Sequence, residues 1–278
     1  MRTIKIVADS AADVLSLNNI DFAYAPLKII TEQREFVDDE HLDVEEMVRY
    51  FSAQKMHSKT ACPAPGDWLE AFGEADDVFC VTITSGLSGS YNSACVAKDM
   101  YEADHPGRRV YVLDSLSAGA EMTLLVQKLE EYVSAGMEAE AIDEAIRAYA
   151  KQTGLLFILE SLKNLAANGR VSSVVAKLAG VLGVRVVGRA SAEGQLEPLH
   201  KCRGGANALK TLLEELKKAG LSKGRVQISH CQNPDTAQKL KEMIQADLPE
   251  VAVSISSLRG LCSYYAEQGG LLIGFEKM

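Results

Sequence analysis

The sequence lacks the marks of several large protein classes. No apolar stretch approaches the roughly 20 residues that a membrane span needs, and residues 1–10 have no apolar core of signal-peptide length. The six cysteines show neither a CxxC pair nor Cys/His ligand spacing, so neither a zinc site nor a disulfide scaffold is expected. An excess of basic residues is also missing: the net charge is −9 at pH 7, which disfavours binding to nucleic acids or anionic membranes. These absences predict a soluble cytoplasmic protein without stable membrane insertion.

Length and composition predict a globular protein of two domains. The chain has 278 residues, which is long for one domain. Hydrophobic residues make up 47% of it and charged residues 24%, as in folded rather than disordered proteins. We place the boundary at Thr153-Gly154, although no Pro- or Ser-rich linker marks it. The predicted domains are therefore residues 1–153 and 154–278.

The two halves differ in their patterns of strands and helices. In the first half, apolar runs predict strands at 4–8, 26–30, 77–84 and 109–114, and helical spacing predicts helices at 42–54 and 117–135. This alternation indicates an α/β domain with a largely parallel sheet between two helical layers.

The second half predicts a mixed sheet. A hairpin is expected around Glu193-Gly194, beside βα units. The predicted strands are 155–159, 184–187, 196–200, 226–229, 251–255 and 271–275, with helices at 206–219 and after Pro234.

The segment 84–94 contains the most informative loop. It follows a buried strand and opens a helix, and ligands of parallel sheets gather at the carboxyl ends of the strands. Ser85, Gly86 and Ser88 offer hydroxyls and free backbone N–H groups there, which favour an anion. Helix capping by Ser85 or Ser88 would by itself explain the same residues.

Two enzymatic interpretations of this loop meet difficulties. It is not a P-loop, because no Lys-Ser/Thr follows at the required spacing. It resembles the G-x-S-x-G nucleophile elbow around Ser88, but Ser90 stands where the strained turn needs glycine. A hydrolase would also need an acid and a histidine, for which His230 is a candidate. An acyl or ester hydrolase using Ser88 and a binding module for another small anionic metabolite remain alternatives.

A second segment, 58–65, contains two prolines, which forbid helix and favour an extended, exposed loop. Thr60 would offer a hydroxyl in such a loop, and Cys62 a thiol. From the residues alone, a stiff connector before the helix that carries Trp68 is the favoured interpretation.

Together these segments resemble the DegV family in order and spacing, from about residue 3 to residue 277. The two longer strings are fairly specific when they occur together. The strings are Asp9-Ser10, Lys59-Thr60-x-x-Pro63, the run SGLSGSYNSA at 85–94, Asp114-Ser115, and Leu162-Lys163-Asn164-Leu165 leading to Gly169-Arg170-Val171-Ser172.

The resemblance implies a two-domain protein that binds one long-chain fatty acid between its domains. In the family, a Thr and a Ser of two loops hold the carboxylate, and those positions are Thr60 and Ser88 here. Several members are the binding subunit of bacterial fatty acid kinase and present the carboxylate to a separate kinase subunit, which makes acyl phosphate for phospholipid synthesis. The resemblance thus implies a substrate carrier with a fatty acid as its ligand, no other cofactor and no catalytic residue.

The sequence departs from the family at several positions. The T-S-Q-P loop has Ala61 and Cys62 in place of its Ser and Gln, and Tyr265 stands at about the position of a histidine near the head group. A tyrosine still donates a hydrogen bond but is neutral at pH 7. Arg203 aligns with a basic position that family members use at the rim facing the partner. The expected ligand-binding residues are therefore Thr60, Ala61, Ser85, Gly86, Ser88, Arg203 and Tyr265.

The wall of the acyl tunnel is a further expectation. Small and branched residues from Val174 to Val187, together with Phe157 and Leu159, would line it, although a plain buried core explains them equally well.

Overall fold

The protein is described by a computed structural model that covers residues 2–53, 57–172 and 183–278. The strands are β1 (Ile4–Asp9), β2 (Asp21–Ala25), β3 (Lys28–Thr31), β4 (Glu35–Val37), β5 (Ser58–Ala61), β6 (Asp77–Thr82), β7 (Arg109–Asp114), β8 (Thr153–Leu159), β9 (Val184–Ala190), β10 (Leu196–Arg203), β11 (Gly224–His230), β12 (Val251–Ser257) and β13 (Leu271–Glu276). The helices are α1 (Val44–Ala53), α2 (Pro65–Phe72), α3 (Ser90–Asp104), α4 (Ala120–Ser134), α5 (Ala139–Ala150), α6 (Lys163–Ala167), α7 (Gly205–Lys218), α8 (Pro234–Asp247) and α9 (Gly260–Ala266), with a 3₁₀ turn at Ser10–Ala12.

The first sheet is parallel, with the strand order β2-β1-β6-β7. Strand β6 is buried at every position, as its continuous apolar run predicts for the interior of a parallel sheet. Helices α2 and α3 pack on one face, and α4 contacts β1 and β6 from the other. This arrangement is the three-layer α/β architecture expected for the first half.

The second sheet is mixed, with the order β10-β9-β8-β13-β11-β12. Only the β11–β12 pair is parallel among its described neighbours. Helices α7 and α8 pack on one side of it, while α4 contacts β8, β11 and β13 on the other. Helix α4 thus lies between the two sheets, which explains why its residues from Ala120 to Val126 are all buried.

A small antiparallel sheet, β4-β3-β5, was not expected. The segment at 58–61 was predicted as an exposed loop, but it forms β5 and pairs with β3, so that Thr60 lies opposite Ile29. The prediction of extended backbone was right. The prediction of a loop was wrong, because β3 offers an edge to which the segment can bond.

The fold class predicted from the sequence is confirmed: a parallel sheet precedes a mixed one in an α/β protein. The hairpin around Glu193-Gly194 also forms, between β9 and β10. The division at residues 153–154 stays a prediction. The strands of the first sheet lie before it and those of the second begin at it, with β8 starting at Thr153, but one cluster of buried apolar residues extends across both.

Candidate functional site

A cavity of about 300 Å³ lies between the two larger sheets. This is at the lower end of the range for small-molecule sites. Most of its described lining side chains are apolar, and they come from both halves of the chain: Leu27, Ile83, Leu87, Ala118, Leu155, Leu159, Leu165, Leu196, Leu261, Cys262, Ala266 and Leu272. The remaining described lining residues are Thr60, Ala61, Cys62, Ser88, Gly89, Arg170 and Tyr265. The cavity therefore has an apolar wall and a small polar set of side chains.

Thr60 and Tyr265 meet at the polar part of the cavity. Ser58 and Thr60 project from the same face of β5, because residues two apart in a strand share a face. Each contacts a tyrosine of α9: Ser58 Oγ lies 2.6 Å from the hydroxyl of Tyr264, and Thr60 Oγ1 lies 2.7 Å from that of Tyr265. Burial raises the pKa of Tyr265, so its hydroxyl stays protonated at neutral pH and can donate to Thr60.

Ser88 reaches the same cavity from the loop between β6 and α3. Its Oγ accepts the backbone N–H of Ser90 at 3.2 Å, which leaves its own proton to donate elsewhere. Gly89 lies next to the strand that carries Thr60, since a Cβ at Gly89 would lie 3.3 Å from Cys62 Sγ. The two hydroxyls that the resemblance pairs thus line one cavity.

Arg170 carries the only formal charge among the described lining residues. Its Nε donates to the carbonyl of Leu87 at 3.0 Å, directly before Ser88, and its guanidinium also donates to the carbonyl of Asn168. The Arg170 charge acts on Tyr265, where it works against the rise in pKa. Thr60, Ser88, Arg170 and Tyr265, called the polar end below, are therefore one cluster.

Buried carboxylates hold the elements that carry this polar end. Asp38 is fully buried and accepts the backbone N–H groups of Gly260 and Leu261, both at 2.8 Å, where α9 begins. Asp9 is also fully buried and accepts the N–H of Ile83 at 2.8 Å, before the loop of Ser88. Asp38 thus fixes the helix that carries Tyr265, and Asp9 fixes the loop that carries Ser88.

Comparisons with known proteins show the family of the chain. A family model described as an uncharacterised protein of the DegV family matches residues 3–277. The chain belongs to the DegV family. A DegV domain-containing protein of Streptococcus pneumoniae is 44% identical over 278 residues, which is 99% of each chain.

Two solved DegV-family structures match the chain along its length. A DegV family protein from Eubacterium eligens, loaded with heptadecanoic acid, has a TM-score of 0.97 and 43% identity, covering 99% of this chain and 100% of that one. The fatty acid kinase B3 protein of Streptococcus pneumoniae, loaded with linoleic acid, has a TM-score of 0.97 and 44% identity with the same coverage.

The structure does not bring every DegV-like position to the cavity. Ser85 is exposed, and its backbone N–H donates to Asp114. Gly86 lies against the β9–β10 turn, where a Cβ would come within 2.8 Å of the carbonyl oxygen of Glu193. Gly86 allows the close approach of two backbones and Ser85 faces solvent, so neither is among the described lining residues, and their contact with a ligand stays a prediction.

Of the other expected residues, some line the cavity and some do not. Ala61 lines the cavity beside Thr60, as does Cys62, which replaces the family's Gln. Arg203 is exposed at the end of β10 and is not among the described lining residues. Its role at a rim facing a partner stays a prediction.

Arg170 was missed as a site residue. It belongs to the motif at 169–172 that carries the family resemblance. A charged residue inside such a motif was the feature of the sequence that could have indicated a binding role.

The structure places only some residues of the predicted tunnel wall at the cavity, and their contact with an acyl chain stays a prediction. Leu159 lines the cavity, whereas Phe157 on the same face of β8 packs against Gly188, with its ring in the space that a Cβ there would fill. Val186 is buried, but it is not among the described lining residues. Residues 174–182 of the predicted wall lie outside the described residues.

Within the described ranges, no helix is long and apolar enough to cross a membrane, and no group of three or more His, Cys, Asp or Glu side chains is arranged to hold a metal ion.

Proposed function

We propose that this protein binds one long-chain fatty acid in the cavity between its sheets and presents the carboxylate to a fatty acid kinase subunit. The observation that carries the proposal is the division of the cavity into an apolar wall and a polar end with three hydroxyls and one cation. A ligand that matches both parts has a long apolar tail and one anionic head.

The tail supplies most of the affinity in this proposal. Burial of a methylene contributes about 0.8 kcal/mol, so a long acyl chain gains on the order of 10 kcal/mol before the costs of association. A small anionic metabolite without a tail would leave the leucine-rich wall unused. The wall therefore disfavours the alternative of a module for another small anion.

The head group fixes the direction of the ligand. Thr60 and Ser88 each have one hydroxyl proton to donate to a carboxylate oxygen, and Tyr265 can donate to Thr60 at the same time. Each hydrogen bond to a charged group contributes about 1.5–3 kcal/mol. The guanidinium of Arg170 adds a complementary charge beside Ser88.

Relatives whose structures contain a bound ligand support a fatty acid as the ligand of this protein. The structures from Eubacterium eligens and Streptococcus pneumoniae, at 43% and 44% identity, hold heptadecanoic and linoleic acid. The second is a B protein of fatty acid kinase, which supports a kinase subunit as the partner of this chain. In this role the protein is a substrate carrier, and the phosphoryl-transfer chemistry belongs to the partner.

The geometry does not support the alternative of a hydrolase using Ser88. From the described residues, the hydrogen bond that reaches Ser88 Oγ comes from a backbone N–H, not from a base. His230, the candidate base, lines a separate depression together with Asp13 and Arg259. A nucleophilic serine needs a base within hydrogen-bonding reach.

Native mass spectrometry of protein purified gently from bacterial cells tests the proposal. We expect a mass increase of one fatty acid per chain, which solvent extraction then identifies. Absence of any acid, together with no uptake of added oleate, would contradict fatty-acid binding. Addition of a fatty acid kinase catalytic subunit and ATP should then yield acyl phosphate only when this protein is present. Formation of acyl phosphate at the same rate without this protein would contradict the carrier role alone.

A further inference from the structure

The loop between β6 and α3 has to hold one small hydroxyl, that of Ser88, at the cavity wall. The side chain of Ser88 is short, so the backbone of its loop decides where the hydroxyl lies. Ser88 Oγ accepts the N–H of Ser90 at 3.2 Å, and the N–H of Ser88 donates to the carbonyl of Thr84 at 3.2 Å. The position of Ser90 thus affects both the place and the direction of the Ser88 hydroxyl.

Ser90 is fully buried and makes a short hydrogen bond with Asp9. Its Oγ donates to Asp9 Oδ2 at 2.6 Å, and the same oxygen accepts the N–H of Ile83 at 2.8 Å. The other oxygen of Asp9 accepts the N–H of Ala11 at 3.2 Å. One carboxylate at the end of β1 therefore holds both ends of the loop that carries Ser88: its start at Ile83 and its end at Ser90.

This contact also explains a residue that the sequence left unassigned. A nucleophile elbow would have glycine at position 90, and Ser90 departs from that pattern. In the structure, the Ser90 hydroxyl donates to a buried carboxylate, and Ser90 is not among the described lining residues of the cavity. Asp9 belongs to the Asp-Ser pair at the end of the first strand. The contact therefore joins two motifs of the family resemblance through residues that lie 81 positions apart.

We propose that Asp9 and Ser90 are positioning residues that hold the Ser88 hydroxyl at the ligand carboxylate without touching the ligand. The proposal rests on the fatty-acid-binding function proposed above. Neither residue is among the described lining residues of the cavity, so each acts through Ser88. The Ser90 hydroxyl, which donates to Asp9 over 2.6 Å, restrains the end of the loop as the N–H of Ile83 restrains its start.

The test compares two ligands that differ only at the head. Affinities for tetradecanoate and tetradecanol are measured by competition with a fluorescent fatty acid, for the parent protein and for Ser90→Ala. Ser229→Ala is the matched control: Ser229 is also fully buried, and its hydroxyl bonds Ser256 on β12, away from the cavity. Asp9→Asn, which keeps the shape of the side chain, gives the same comparison if Ser90→Ala does not fold.

We expect Ser90→Ala to weaken tetradecanoate binding about tenfold, because one charged hydrogen bond of the head is misplaced. The affinity for tetradecanol should stay within about twofold of the parent value, because its tail contacts are untouched. The Ser229→Ala variant should bind both ligands as the parent does. Unchanged tetradecanoate affinity in Ser90→Ala, or an equal loss for both ligands, would overturn the positioning role. A parent protein that binds neither ligand would instead contradict the fatty-acid-binding function.

Discussion

The apolar wall and the polar end of the cavity are held in place by different interactions. The wall is formed by leucines and alanines from helices and strands of both halves, and nonspecific packing keeps them there. The polar end depends on single contacts, such as Tyr265 on Thr60 and the Asp38 carboxylate at the start of α9. Loss of apolar contact between wall and ligand should therefore lower affinity in proportion to the area lost. Loss of a polar contact should lower affinity by a constant amount, and only for a ligand with a carboxylate.

The largest expected effect comes from filling the wall. Ala118 lines the cavity and is partly exposed, so Ala118→Phe places a ring in the cavity without disturbing a fully packed core. If the ring displaces about four methylenes, affinity for a long-chain acid falls by about 3 kcal/mol, or at least a hundredfold. The competition assay measures this loss. Ala252→Phe, at an exposed position of β12, is the matched control and should bind as the parent does. Full affinity in Ala118→Phe would show that the acid lies elsewhere.

The next largest effect comes from the hydroxyls of Thr60 and Ser88. Thr60→Val and Ser88→Ala should each weaken fatty-acid binding by about 1.5–3 kcal/mol, or about tenfold to a hundredfold. Titration with tetradecanoate and tetradecanol separates the head from the tail, and the alcohol should lose much less. Equal losses for acid and alcohol would place the carboxylate away from these residues. Turnover of a chromogenic ester by the parent protein, lost in Ser88→Ala, would revive the hydrolase.

A third prediction concerns stability and the carboxylate behind Ser88. Burial raises the pKa of Asp9 from its ordinary 3.8 to about 7, despite its hydrogen bonds from Ser90 and Ile83. Between about pH 4 and pH 7 the folded protein therefore holds a proton that the unfolded chain releases, so the free energy of unfolding decreases as the pH rises through this window. Asp9→Asn should flatten that slope by up to about 1.4 kcal/mol per pH unit.

Urea unfolding at several pH values between 4 and 7 measures this slope. Burial also raises the pKa values of Asp13, Asp38 and Glu121, so part of the slope should remain in the variant. An unchanged slope would mean that Asp9 is ionised throughout the window.

The smallest expected effect comes from Tyr265. Tyr265→Phe removes the neutral hydrogen bond to Thr60, so fatty-acid affinity should fall by about 0.5–1.5 kcal/mol, or about twofold to tenfold. Tyr264→Phe is the matched control, because that hydroxyl bonds Ser58 and Asn168 and is not among the described lining residues. Its fatty-acid affinity should be unchanged. A larger loss in Tyr264→Phe than in Tyr265→Phe would mean that α9 acts as a whole rather than through Tyr265.

The sequence predicted the elements that its local pattern determines. Strand β7 appears at the predicted residues 109–114, and β6 and β11 within a few residues, because apolar runs indicate buried strands. Helix α9 was missed, because a run containing Gly260, Cys262 and Ser263 has weak helix propensity. Asp38 stabilises its first turn from 222 residues away in the sequence, a contact that local pattern cannot reveal.

The candidate site was predictable to a similar degree. Thr60 and Ser88 followed from the family resemblance, and local pattern alone made them a connector and a helix cap. Arg170 and Asp9 belong to sequence motifs that carry the family resemblance. Their hydrogen-bond partners, Leu87 and Ser90, come from distant segments, so the contacts themselves could not be predicted. The packing of Gly86 against the β9–β10 turn was not predictable, because a glycine in an anion-binding loop and a glycine against a neighbouring backbone look the same in sequence.

The most direct test of the central claim is the affinity for saturated fatty acids of increasing chain length, in the parent protein and in Thr60→Val. Burial in the wall predicts that binding strengthens by about 0.8 kcal/mol per methylene until the cavity is full. Loss of the Thr60 hydroxyl predicts a parallel line displaced to weaker binding by about 1.5–3 kcal/mol. Affinity that is independent of chain length, or a slope that changes in Thr60→Val, would contradict the division of the cavity into a wall that gives affinity and a polar end that gives direction.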